Sequence, residues 1–221
     1  MENIAKYWRT VATAVTVAMA LPLAAAAQSS EDAFGKAQAA FERGVRGAES
    51  DNEAASAQFK QLSQAEPGNP LYLAYYGSTL AIKARDAWLP WKKLKFGEQG
   101  LEQIDKALKH LSPEHDKATP GRVPVGMETR LVALETFLKV PDQFFHRFDS
   151  GKALLNAAMH NPAFAQLPPQ LQARFHWQAA LVAKKENQPA EEKTQLMRAL
   201  ELDPRMSDVD AARNRLKELG A

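Results

Sequence analysis

The chain has 221 residues, with 28 Lys and Arg against 26 Asp and Glu, a formal net charge of +2 and no cysteine. A chain of this length can bury its own core without a disulfide or a structural metal. The lack of cysteine excludes a disulfide framework, a thiol nucleophile, cysteine-ligated zinc or iron–sulfur and a cysteine-linked lipid anchor, and the balanced charge offers no basic surplus for nucleic acid.

In chain order, Lys6 and Arg9 come first, and an uncharged run from Val11 to Leu23 follows them. Ala25 and Ala27 then form an A-x-A arrangement before Gln28. A positive start, a short apolar stretch and small residues at its end are the three parts of a secretory signal peptide. The apolar run is short for a membrane helix, which needs about 20 residues. The expectation is a signal peptide over residues 1–27, cleaved after Ala27, and a periplasmic or secreted domain over residues 28–221. The alternative is an uncleaved anchor.

The rest of the chain shows helical periodicity and no sustained strand alternation. Ser30 is expected to cap a helix with Phe34, Ala37, Phe41 and Val45 on one face. Ser50 to Glu53 reads as a capping box that opens a second helix bearing Ala55, Phe59 and Leu62. Pro67-Gly68-Asn69-Pro70 is a turn signal, and a third helix is expected from Leu71 to Ala87. Pro90 suits the first turn of a fourth, where Trp91, Leu94, Leu101, Ile104 and Leu108 form an apolar stripe. Glu98 interrupts that stripe, and Gly97 and Gly100 beside it mark a bend. His110 to Pro124 reads as the longest loop. Helices follow over Val125 to Val140, Pro141 to Met159, Gln170 to Lys185 and Pro189 to Leu202. The last opens at Ser207 and ends before Gly220, a natural residue for a helix end.

The stretch from Ala173 to Met206 resembles one tetratricopeptide (TPR) repeat. Ala180 stands where two helices approach closely, and Ala199 precedes Leu200-Glu201-Leu202-Asp203-Pro204. A second match spans Lys36 to Asn69, with Ala55, Phe59 and Pro67 at the small, aromatic and terminal-proline positions. A third begins at Pro70 with Tyr76-Gly77 and is interrupted by an insertion around RDAWLPWKKLKF before resuming at Gly100. Arg43 and Glu192 depart from the pattern, standing where small residues belong. The chain is also similar to a group of uncharacterised bacterial exported TPR-like proteins with a comparable AYYGS…ARDAWLPWKK stretch. The resemblance implies an all-α, TPR-like solenoid of about nine helices, in which the first helix of each pair lines a concave groove. It implies a compartment and no particular activity.

Two binding surfaces are expected. Matched by position, Arg174, Trp177, Leu181 and Lys184 of the last repeat face the groove, as do Leu71 and Ser78, with Tyr72 and Tyr75 as further contributors. Tryptophan would supply buried area, and the cations would orient a carboxylate or another anion. The partner is a protein or peptide of the cell envelope. The second surface is the aromatic and basic stretch with Arg85, Trp88, Lys92 and Lys93, suited to an anionic membrane or wall polymer. Within it Trp91 reads as core by its spacing, Trp88 as surface, and Phe96 is undecided. A third reading, a hydrolase using His115 with Glu114, lacks any H-E-x-x-H, G-x-S-x-G or Walker spacing. No catalytic residue, cofactor or metal is expected.

Overall fold

Proline sets where many of the helices begin. The computed structural model describes residues 20–117 and 123–220. Among the described residues there are ten α-helices, two 3-10 turns and no strand. The helices are α1 (Ala20–Val45), α2 (Glu49–Ala65), α3 (Pro70–Asp86), α4 (Pro90–Lys109), α5 (Val125–Lys139), α6 (Asp142–Phe145), α7 (Phe148–Met159), α8 (Pro169–Lys185), α9 (Pro189–Leu202) and α10 (Val209–Glu218). The 3-10 turns are Pro113–Asp116 and Phe164–Gln166. Proline occupies the first turn of α3, α4, α8 and α9, where its missing N–H has no intrahelical partner to lose. No described helix is long and apolar enough to cross a membrane.

The helices pack as successive pairs: α1 on α2, α3 on α4, α5 on α7 and α8 on α9. The second member of each pair also packs on the helix that follows, α2 on α3, α4 on α5, α7 on α8 and α9 on α10. The first members touch in turn, α1 with α3, α3 with α5 and α5 with α8. At the N-terminal end the core is aromatic. The Phe59 ring stacks on Tyr75 at 4.6 Å with 6° between planes, and Phe34 and Phe41 meet both rings edge-on. Such pairs add about 0.5–1.5 kcal/mol each beyond their burial. Further along, Met127, Leu131, Leu134, Leu155 and Phe175 form the second cluster, and Leu101, Ile104, Ala133 and Phe137 join α4 to α5.

Several local expectations are corrected. Residues 1–19 of the expected signal segment lie outside the described residues. α1 already runs through Ala27 and Gln28, so Ser30 sits inside a helix and bonds the Glu66 carboxylate rather than capping. α2 starts at Glu49 behind Ala48 without a side-chain cap. The tight α1–α2 turn, with Gly47 at φ 104°, begins the helix before Ser50 and leaves no capping box over Ser50–Glu53. α4 does not break at Gly97 and Gly100. Gly100 instead serves close approach: a Cβ on Gly77 or Gly100 would lie 2.6 Å from the other's carbonyl oxygen. The helix expected over 141–159 is split. His146 is left-handed at φ 50°, and the Asp142 carboxylate accepts the Phe148 N–H at 2.8 Å, which restarts the chain as α7. The loop after His110 contains the Pro113–Asp116 turn, and the last helix opens at Val209, not Ser207. Glu192 is buried and tolerated because Arg215 of α10 donates to both its oxygens, at 2.6 and 2.9 Å.

Candidate binding surfaces

At the α3–α4 corner the chain leaves one helix and starts another within three residues. Ala87 turns extended and Leu89 is the extended residue before Pro90. Beyond the Gly77–Gly100 contact, Leu101 and Ile104 bury α4 against its neighbours, but its first six residues, Pro90 to Lys95, are all exposed. Trp88 is 90% exposed, Trp91 65% and Leu94 46%. Among the described residues the exposed large hydrophobics are these three, Phe144 and Met197, so three of the five fall between residues 88 and 94. Trp88 is at the surface as its place before Pro90 suggested. Trp91 and Leu94, read as core from their spacing, are not: among the described residues the burial of α4 begins only at Gly97.

Lys92, Lys93 and Lys95 are exposed on the same turns, and Lys93 reaches the Arg85 carbonyl at 3.4 Å. Arg85 itself is a structural tie. Its guanidinium donates to the carbonyls of Val45 at 2.8 Å and Gly44 at 3.1 Å at the end of α1, and it pairs with Asp86 at 2.6 Å. Beside the corner lies a cleft of about 530 Å³ lined by Glu49 and Glu53 of α2, Lys83, Trp88, Lys92 and Phe96. Half-buried Phe96 thus faces this cleft.

The first-helix side is more closed than the sequence suggested. Leu71, Tyr72 and Ser78 are buried, and Tyr75 is only 2% exposed. These are core residues, not groove lining, because Phe34, Phe59 and α5 cover them. The Tyr75 hydroxyl donates to Glu128 at 2.9 Å and accepts from Gln38 at 3.1 Å. Burial, reinforced by the Glu128 charge, holds the Tyr75 hydroxyl well above its usual range. Burial likewise raises the Glu128 carboxyl, against the Tyr75 hydrogen bond and the Arg174 charge. Arg174 pairs with Glu135 at 2.8 Å and keeps 37% of its side chain exposed. The structure therefore brings Arg174 and Tyr75 to one polar network, through Glu128 and Glu135.

Sequence reasoning missed both of those glutamates. Their signal was the seven-residue spacing, which puts two carboxylates on one face of an otherwise apolar helix. Trp177 is half-buried and packs against the cluster of Ala180, Leu196 and Ala212, which joins α8 to α9 and α10. Leu181 is half-buried and Lys184 exposed.

His115 and Glu114 have structural partners. Ser112 N–H donates to His115 Nδ1 at 3.0 Å, so the proton sits on Nε2, which reaches the Gly68 carbonyl at 3.1 Å. The ring thus latches the Pro113–Asp116 turn to the α2–α3 turn. Glu114 pairs with Lys117 at 2.6 Å. Among the described residues no group of three or more His, Asp or Glu could hold a metal ion. No family model, no curated protein and no solved structure matches the chain.

Proposed function

We propose that this is a non-enzymatic binding protein of the cell envelope, built of stacked TPR-like hairpins, that docks through the protruding α3–α4 corner. The order of contacts supports the solenoid reading: α3 and α5 each meet their partner, the preceding second helix and the next first helix. Gly77 against Gly100 supports it too, with small residues where paired helices come closest. The partnered state of Glu114 and His115 favours binding over catalysis.

The observation that carries the docking surface is the exposure of Trp88, Trp91 and Leu94 together at one helix end. Local stability does not account for its composition. The first turn of α4 carries no acidic residue and two lysines, with a third just beyond it, although the helix dipole favours negative charge there. Sequence choices that oppose local stability tend to mark function.

The test is a photoreactive amino acid at position 91, compared in cells with one at exposed position 194. Adducts formed from position 91 and not from position 194 are expected. Equal background yields at both would refute the corner as the docking surface.

A second reading, a peptide or protein segment held against the first helices, draws support from Arg174, whose guanidinium stays partly open between α5 and α8. It requires Arg174→Glu to lower partner retention while substitutions at the corner leave it unchanged.

A further inference from the structure

We infer that the surface met by the α3–α4 corner is an anionic lipid bilayer, with Trp88, Trp91 and Leu94 in the headgroup layer, Lys92 and Lys95 on the lipid phosphates and Lys93 adding charge close by. This rests on the corner being the docking surface. Three features of the corner argue for a membrane over a folded partner. The first is size. A tryptophan offers about 150–250 Å², so two of them and a leucine fall short of the ~800 Å² per partner that a stable protein interface buries. A short apolar wedge is enough to enter a headgroup layer.

The second feature is layout. At about 100° per residue, Leu94 lies about 60° to one side of Trp91 and Lys95 about 40° to the other, with Lys92 a further 60° round. Aromatic and aliphatic groups thus point down with Lys95 and Lys92 along one flank. The stems of these two lysines can lie along the boundary while their ammonium groups stay in water; Lys93, about 160° from Trp91, adds its charge within a Debye length of the surface.

The third is charge. Residues 87–97 hold three lysines and no acid. Of the nearest carboxylates, Asp86 is held by Arg85, Glu49 and Glu53 line the adjoining cleft with Lys83 and Lys92, and exposed Glu98, one turn beyond Leu94, bounds the basic stretch. A lysine close to an anionic surface strengthens partitioning roughly fivefold. Three lysines therefore give a preference on the order of a hundredfold, which fades as salt shortens the Debye length.

The full-length protein is sedimented with vesicles of phosphatidylcholine alone or mixed with phosphatidylglycerol, at low and high salt. The tryptophan emission is followed in parallel. The comparison variants are Lys92→Gln/Lys93→Gln/Lys95→Gln and Trp88→Ala/Trp91→Ala, all at exposed positions. Wild type is expected to prefer the anionic vesicles at low salt, with a blue shift that brominated lipid quenches. The lysine variant should lose on the order of a hundredfold of that preference, and the tryptophan variant should lose the quenchable shift. Equal sedimentation of wild type and both variants would overturn the inference, since residues 1–27 or another surface would then be responsible. Failure to sediment with anionic vesicles at low salt would overturn it as well. If vesicles fail while adducts from position 91 contain a protein, the lipid inference falls and the docking corner stands. If both fail, both readings fall.

Discussion

Gly77→Ala puts a methyl group where α3 and α4 have no room for one. The new Cβ would lie 2.6 Å from the Gly100 carbonyl oxygen and 2.8 Å from Ile104 Cγ1. The nearest obstacle is backbone, so no rotamer change relieves it. Moving from 2.6 Å to the 3.4 Å at which ordinary contact begins requires the helices to part by 0.8 Å. That separation loosens Leu101 and Ile104, both buried at this contact. Overpacking of this kind costs ~3 kcal/mol, and the better helix propensity of alanine returns ~1 kcal/mol. The net loss of ~2 kcal/mol should lower Tm by about 4–8 °C in a chain of this size. Gly35→Ala is the matched control. Gly35 lies in α1 with nothing within 4 Å of the added atom, so only the propensity gain remains, and Tm should rise by about 2–4 °C. Thermal melts followed by far-UV circular dichroism read both. A Gly77→Ala protein as stable as wild type, or the same sign of change at both glycines, would refute the close packing of α3 on α4.

Glu128→Gln removes a half-buried charge but keeps an acceptor for the Tyr75 hydroxyl. Because the Glu128 carboxyl is raised in the folded state, the native protein binds this proton more tightly than the unfolded chain, and stability falls as pH rises from the usual carboxylate range through the raised value. The variant should therefore match or exceed wild type in urea midpoint at neutral pH, with the gap closing below about pH 4; a gap that widens on acidification would contradict this. Trp177→Ala should remove about 2 kcal/mol, less than a fully buried tryptophan would, and increase hydrogen exchange in α9 and α10 while sparing α1 to α3. Unchanged protection in α9 and α10 would mean that Trp177 does not hold the C-terminal helices.

What was legible in the sequence is what local chemistry decides alone. Pro70, Pro90 and Pro189 lie in the first turns of their helices, and the Pro189–Leu202 helix falls where the helical reading of the chain put it. Periodicity gives the direction of a side chain and not what stands opposite it. Trp91 and Ile104 belong to one apolar stripe, yet Ile104 meets α3 at Gly77 while Trp91 stays mostly exposed among the described residues, because the start of α4 extends past that contact. Tyr75 was misplaced for the converse reason. Its cover comes from Phe59 and Glu128, which are distant in sequence. The break at His146 depends on one carboxylate reaching forward six residues, which no spacing rule announces.

Rows of packed helix pairs ordinarily fray from their ends, since each pair leans mainly on the next. The amide of Gln38 complicates that for the N-terminal end. It donates to Tyr75 at 3.1 Å and reaches Glu128 at 3.4 Å, so α1 is fastened to α5 across the pair between them. Peeling away the first pair would strand a buried phenol beside a half-buried carboxylate, and such groups are costly to leave unmatched. The opening three pairs should then come apart in one step, leaving the far terminus as the end from which this protein begins to unravel.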